Sequence, residues 1–516
     1  MTSTARSLAL DPTMCHRALD ARDARFDGLF FVGITTTRIY CRPVCPARIS
    51  YRDRRRFFDS AAAAEEAGFR PCLRCRPELA PGRALVDAVP RLAQVAAHRI
   101  GAGALNGGGV AQLARELGVS DRHLRRALER ELGVSPVELA QTHRLLLAKR
   151  LLADTSLPVT RIAFASGFQS LRRFNSVFRE RYRLSPSALR RSPPPGHPGP
   201  DRGGGRGSPA TPAEALVQLT LAYRAPLAWH ALIALLQRDA MPGVELVQGG
   251  CYGRTVRLNG GSGLIFAEDA ALPSRDPERP EKAHLRVHVS PALLPVLMPL
   301  LARLRHLFDL DAEPTVIDTS LERSGLGALV RRRPGVRIPG AVDGFEVVLR
   351  ALLRGRSGGG SGDLVRRVVA SLGESLDTGI PALSRLAPGA ERVAEAGATR
   401  LTTLGVPRGR ADAIVSVARA LADGTLRLEP GSDVPAAHRA LLEIGGIGER
   451  LATTIVMHAM HWPDAFPASD RLLRRAAAAS SPGALRARAE KWRPWRAYAA
   501  LHLWLAGEEG GIFAGR

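Results

Sequence analysis

Four of the six cysteines stand in two close pairs, Cys41-x3-Cys45 and Cys72-x2-Cys75, with 26 residues between the pairs. Two short pairs joined by a loop can carry four sulfurs to the corners of a tetrahedron, and thiolate sulfur suits zinc. One Zn2+ held by Cys41, Cys45, Cys72 and Cys75 is therefore expected. Such a cluster has two possible uses. It can staple a small domain, its binding energy entering the folding energy. Alternatively, a coordinated thiolate can act as a nucleophile, because the metal keeps the sulfur deprotonated at neutral pH. Cys15 and Cys251 lack partners at metal spacing and read as core or incidental thiols.

Two further stretches could touch a polyanion. Leu441-Leu442-Glu443-Ile444-Gly445-Gly446-Ile447-Gly448-Glu449-Arg450 reads as helix, glycine hairpin, helix. Gly446 and Gly448 would let backbone N–H groups approach a phosphate at a helix N-terminus, although a plain helix–helix turn has the same composition. Earlier, the apolar periodicity, turn glycine and following serine of residues 110–120 fit the first helix of a helix-turn-helix. The next helix would carry Arg122, His123, Arg125 and Arg126. At an offset of 50, Ser120-Asp121-Arg122-His123-Leu124 matches Ser170-Leu171-Arg172-Arg173-Phe174, and Ser135-Pro136 matches Ser185-Pro186. The second unit carries Arg172, Arg173, Asn175 and Arg179, residue types that reach base edges and phosphates in a major groove.

Positioning these residues takes several domains. A chain of 516 residues has room for three or four, and the reading is a multidomain, mainly α protein with two α+β domains: 1–82, small and cysteine-bearing; 83–191, duplicated helix-turn-helix; 192–212, a Pro/Gly-rich linker; 213–319, mixed α/β; and 320–516, all-α around the glycine hairpin. The formal net charge is +24, of which +16 falls in residues 1–191, so a polyanion partner is expected for the N-terminal half. An apolar fraction of 45% excludes wholesale disorder. No stretch is apolar enough for a spanning helix, and the start lacks the pattern of an export signal, so a cytoplasmic protein without membrane contact is expected.

The residues around the cysteines, Thr35-Thr36-Thr37-Arg38-Ile39-Tyr40-Cys41-Arg42-Pro43-Val44-Cys45 and Ala67-Gly68-Phe69-Arg70-Pro71-Cys72-Leu73-Arg74-Cys75, closely resemble the N-terminal zinc domain of the Ada family of methyl-damage response proteins. The resemblance implies that Cys41 is ligand and nucleophile at once, taking a methyl group from a DNA methylphosphotriester in a stoichiometric reaction. Methylation would remove one negative charge facing DNA and so raise DNA affinity. Arg42, Arg70 and Arg74 are candidate phosphate contacts. Gly167, Phe168, Ser170, Phe174 and Phe178 give residues 108–191 a resemblance to the AraC-type DNA-binding domain, which implies a monomer reading two successive major-groove segments. With it come promoter DNA and RNA polymerase as expected partners. Phe174 and Phe178 are expected in the core.

Beyond the hairpin, Phe466-Pro467-Ala468-Ser469-Asp470 and the stretch 491–504 resemble the helix-hairpin-helix DNA glycosylases of the AlkA type. That resemblance covers residues 213–510 and implies excision of alkylated purines such as 3-methyladenine. It makes Asp470 the catalytic carboxylate, compatible with an N-cap role, and Trp504 part of the base pocket. Trp492 and Trp495 read as packing. Arg450 stands where lyase-competent relatives carry a lysine, so hydrolysis without lyase chemistry is expected. Ada proteins often add a second methyltransferase with a Pro-Cys-His-Arg motif; this chain has none. The run 353–362 (LRGRSGGGSG) falls near the family's DNA-intercalating wedge and supports a rigid wedge poorly, since interior glycine costs a helix about 1 kcal/mol. A transcriptional regulator whose glycosylase-fold half only binds DNA is the alternative expectation.

Overall fold

The computed structural model describes residues 12–20, 22, 30–47, 51–58, 60–77, 91–191, 216–270, 283–354 and 361–509. The expected linker 192–212 and the glycines of 355–360 lie outside them. The chain separates into two compact units, one of Met1–Arg224 with Ala270–Ala302, the other of Ala225–Asp269 with Arg303–Arg516. Among the described residues no helix is long and apolar enough to cross a membrane.

The first unit begins with α1 (Pro12–Asp20), β1 (Phe31–Ile34), β2 (Ile39–Cys41), β3 (Arg55–Phe58), α2 (Ala61–Glu66) and β4 (Arg70–Pro71). The strands form a sheet in the order β3-β1-β2-β4, with β4 parallel to β2 and the other pairs antiparallel. Successive strand residues point to opposite faces. Phe31, Tyr40, Phe58 and Phe69 therefore gather with the α2 alanines in one cluster, while Leu19, Val32 and Ile34 gather with the four cysteines in another. Gly33 is required between them, because a Cβ there would lie 2.7 Å from the Phe58 ring and 2.8 Å from that of Phe69.

Seven helices follow: α3 (Arg91–Gly101), α4 (Val110–Glu116), α5 (Asp121–Leu132), α6 (Pro136–Asp154), α7 (Val159–Ala165), α8 (Leu171–Tyr182) and α9 (Pro186–Arg191). The repeat at offset 50 is a repeat of helix starts. Ser120 and Ser170 cap α5 and α8 by accepting from His123 N and Arg173 N. Ser135 caps α6 in a box with Glu138, and Ser185 accepts from Ala188 N at the start of α9. Each helix of the pair ends in a left-handed residue, Gly133 after α5 and Arg183 after α8 (φ 70° and 56°). Leu124, Leu128 and Leu132 line the buried face of α5; Phe174, Phe178 and Tyr182 line that of α8, with ring centroids 5.4 and 4.6 Å apart in sequence. β5 (Val217–Ala222) and β9 (His284–Val289) add an antiparallel pair.

The second unit holds α10 (Trp229–Arg238) and the antiparallel meander β6 (Glu245–Gln248), β7 (Cys251–Leu258) and β8 (Gly261–Asp269). α11 is Leu297–Leu307. Then come α12 (Pro314–Leu321), α13 (Gly327–Arg332), α14 (Gly344–Leu353), α15 (Ser361–Leu372), α16 (Ala390–Thr403), α17 (Arg408–Ala422), α18 (Val434–Glu443), α19 (Glu449–Met460), α20 (Arg471–Ala476), α21 (Pro482–Ala489) and α22 (Arg496–Glu509). One core lies among α14 to α19; a second, containing Trp492 and Trp495, lies among α12, α13 and α19 to α22. β7 is tied to α14 by the buried Arg254, whose guanidinium donates to both Glu346 carboxylate oxygens at 2.6 and 3.1 Å.

Candidate functional site

Strand pairing builds the cysteine cluster. β4 runs parallel to β2 with Tyr40 opposite Pro71, so Cys41, the last residue of β2, and Cys72, the residue after β4, arrive side by side. Cys45 and Cys75 follow in tight turns. All four sulfurs lie within 4.8 Å of one another, and the residues are between 0% and 8% exposed. A tetrahedral site with Zn–S bonds of 2.3 Å asks for sulfurs about 3.8 Å apart, and the cluster fits one such ion. Hydrogen bonds among the sulfurs, that with Cys45 foremost, push the Cys41 thiol up, while the one with Cys41 holds Cys72 down. Four groups competing for one set of protons are satisfied together by a divalent cation. Arg42 turns back onto the cluster, its N–H 3.4 Å from Cys75 Sγ and its guanidinium donating to the Cys75 carbonyl at 3.3 Å. Arg74 is exposed, and Arg70 is half-buried in β4.

In the helical domain, Arg122, Arg126, Arg172 and Arg173 are exposed on α5 and α8, and Arg125 and Asn175 are half-buried. Sequence reasoning missed a group of polar residues between this domain and the cysteine cluster. Glu65 of α2 is fully buried; the Tyr40 hydroxyl donates to its Oε1 at 2.9 Å and the Thr142 hydroxyl to Oε2 at 3.3 Å. Arg181 of α8 donates to the Glu65 carbonyl at 2.8 Å and sets its Nε 3.8 Å from Oε2. Burial pushes the Glu65 carboxyl up to about 7, against the opposing pull of Arg181. Lys149 Nζ donates to the Cys72 carbonyl at 3.5 Å, and Arg76 pairs with Asp154 at 2.5 Å. The signal that was present is Lys149-Arg150, two cations inside the apolar run of α6, where charge is buried only with partners.

In the second unit, α18 and α19 enclose the glycine hairpin. Ile447 is buried and anchors it, while Gly445, Gly446 and Gly448 are exposed. Gly446 has φ +90°, which a side chain would strain, and Gly448 begins α19 without a side-chain cap for the helix's first N–H groups. One helix further on, Asp470 caps α20. Its Oδ1 accepts from Leu472 N and Leu473 N, both at 3.0 Å, and from Trp504 Nε1 of α22 at 3.3 Å. Oδ2 is left facing Arg450 of α19, whose Nη1 lies 3.9 Å away; the Asp470 side chain is 15% exposed and that of Arg450 45%. Three donors on one oxygen fix the carboxylate and leave the other oxygen toward Arg450. The cap expected for Asp470 and its contact with Trp504 thus coexist. The ion pair with Arg450 was not foreseen, since it joins residues from two helices.

A thiolate cluster, a duplicated helix-turn-helix and a capped carboxylate beside a helix-hairpin-helix define a class: proteins that answer alkylation damage on DNA. Comparison with known families agrees segment by segment, matching the metal-binding domain of Ada over residues 14–78, a helix-turn-helix domain over 113–192 and the AlkA N-terminal domain over 218–343. A protein of Mycobacterium tuberculosis named "Probable bifunctional transcriptional activator/DNA repair enzyme AlkA" is 37% identical over 496 residues, 95% of each chain. The chain belongs to this family of bifunctional transcriptional activator/DNA repair proteins. The Escherichia coli "DNA-3-methyladenine glycosylase 2" is 32% identical over 286 residues, which is 55% of this chain and 96% of that one. The Escherichia coli "Bifunctional transcriptional activator/DNA repair enzyme Ada" is 50% identical over 60 residues, 12% of this chain and 17% of that one.

Proposed function

We propose that the chain performs two reactions on alkylated DNA. In the first, Cys41 Sγ attacks the methyl carbon of a DNA methylphosphotriester in line with the departing phosphate oxygen. The S–C bond forms as the C–O bond breaks, and the phosphodiester leaves with its negative charge restored. Cys41, Cys45, Cys72 and Cys75 would hold Zn2+, which when bound would keep the Cys41 sulfur deprotonated at neutral pH. Arg42 steadies the Cys75 turn, and Arg74 and Arg70 contact phosphates. The thioether carries one negative charge fewer toward the polyanion, so DNA affinity rises; Arg122, Arg125, Arg126, Arg172, Arg173 and Asn175 then read the promoter, and transcription of repair genes is activated through RNA polymerase by a monomer. The observation that carries this reading is the meeting of Cys41 with three further buried sulfurs. Peptide mass spectrometry after exposure to methylphosphotriester DNA tests it: one added methyl on Cys41 is expected, and an unmodified Cys41 refutes the assignment.

In the second reaction, Gly446 and Gly448 hold a phosphate at the start of α19 while an alkylated purine such as 3-methyladenine leaves its sugar by hydrolysis. An N-alkylated purine is already cationic and needs little acid catalysis. Asp470 Oδ2, aimed by its three donors, stabilises the oxocarbenium-like sugar and orients the attacking water. Trp504 serves the base pocket. With arginine at 450 the chain has no Schiff-base amine there and stops at hydrolysis. The second reading, a regulator with an inactive glycosylase fold, is favoured by one observation: the Arg450 guanidinium facing Asp470 Oδ2 offsets the charge the reaction uses. Base release by wild type and Asp470→Asn decides between them.

A further inference from the structure

We propose that the cysteine-cluster domain and the α3–α9 domain are locked into one DNA-reading body, with Glu65 and Arg181 as the positioning residues that set recognition helix α8 at a fixed distance and angle from Cys41. The inference rests on the reading that both domains touch DNA, and goes beyond it by fixing their mutual register.

The contacts carry it. Four polar links from the helical domain end on the cluster itself or on a residue beside it in the sequence or bonded to one. Lys149 holds the carbonyl of Cys72; Asp154 holds Arg76, the residue after Cys75; Thr142 and Arg181 hold Glu65, whose other oxygen holds Tyr40, the residue before Cys41. Helix α6 packs on α2, and α8 packs on β4, the strand that leads into Cys72. Glu65 is fully buried, with Arg76 and Asp154 side chains at 6% and 9% exposure. A carboxylate withdrawn from water is tolerated only with its partners in place, so sliding one domain on the other would strand Glu65 without Thr142 and Arg181. Such a set of partners fits in one arrangement. α8 presents Arg172, Arg173 and Asn175 near its N-terminus and spends Arg181, near its C-terminus, on this lock.

The test uses the full chain and a duplex selected from a random library by the Cys41-methylated protein, with hydroxyl-radical footprints locating the segments protected by each domain. Two footprints are expected. Inserting half a turn or one full turn of duplex between them, about 5 or about 10 base pairs, should each lower affinity about tenfold or more, because a rigid body engages only one segment at a time and loses the second as an intramolecular contact. Arg181→Ala should accept the full-turn insertion with affinity near that for the uninterrupted duplex, while zinc content and Cys41 methylation stay as in wild type. Glu65→Gln, which keeps an acceptor for Tyr40, should preserve the wild-type spacing profile. Wild-type affinity that recovers at the full turn, or an Arg181→Ala profile identical to wild type, would overturn the lock while leaving two-domain binding intact. A single footprint would overturn both.

Discussion

Cys41 and Asp470, the proposed methyl acceptor and the proposed catalytic carboxylate, stand on very different scaffolds. The cluster is assembled within 35 residues, Cys41 to Cys75, by two paired strands and two turns, and its four side chains are almost fully buried. Asp470 draws its partners from three helices, α19, α20 and α22, and keeps one oxygen toward a half-exposed arginine. A group consumed once can be local, because metal and sulfur bring their own charge and the domain needs only to hold four ligands. A group that turns over must return to one geometry after each cycle; for Asp470, in the role proposed for it, that geometry is set by a helix cap and by an indole packed against the core.

The comparison breaks most sharply on metal removal. Chelation should abolish methyl acceptance, with zinc released and the cluster domain unfolded, while base release in the same sample continues; loss of both would show that the two sites are not independent. Cys41→Ser should likewise end methyl uptake without touching base release, read by mass spectrometry and by counting free bases. Of smaller effect, Trp504→Phe removes the indole N–H from Asp470 Oδ1. A hydrogen bond to a charged group is worth about 1.5 kcal/mol or more, so kcat should fall roughly tenfold with KM little changed. Arg450→Ala should raise kcat roughly threefold, the size expected of a partly exposed ion pair, and weaken DNA binding. Smallest is Ser170→Ala, which removes the cap of α8 and should cost about 1 kcal/mol, seen as a lower melting temperature with methyl transfer intact.

Much of the cluster was legible because its ligands sit in two short motifs, and spacing is a local property. The helix-turn-helix repeat was legible for the same reason: Ser120 and Ser170 are caps, and caps are written in three or four residues. The role proposed for Asp470 comes only through resemblance, since a lone aspartate before Arg471-Leu472-Leu473 announces nothing beyond a helix start. What local pattern could not carry was the pairing of distant surfaces. The parallel match of Tyr40 with Pro71, the burial of Glu65 by residues 77 and 116 positions away, and the approach of Arg450 to Asp470 all depend on tertiary packing. The glycine run that weakens a rigid wedge falls mainly outside the described residues; Ser361 and Gly362 open α15.

The most direct measurement is base release counted per protein molecule: purified full-length chain on methylated duplex DNA, with free 3-methyladenine and the Cys41 methyl adduct quantified in one sample, beside Asp470→Asn. Asparagine preserves the cap, so the fold should hold. Many bases released per wild-type molecule, release lowered on the order of a hundredfold or more in Asp470→Asn, and at most one methyl on Cys41 in both proteins is the predicted result. Equal release by the two proteins, or none from wild type while Cys41 is methylated, would contradict a chain that both records alkylation and removes it.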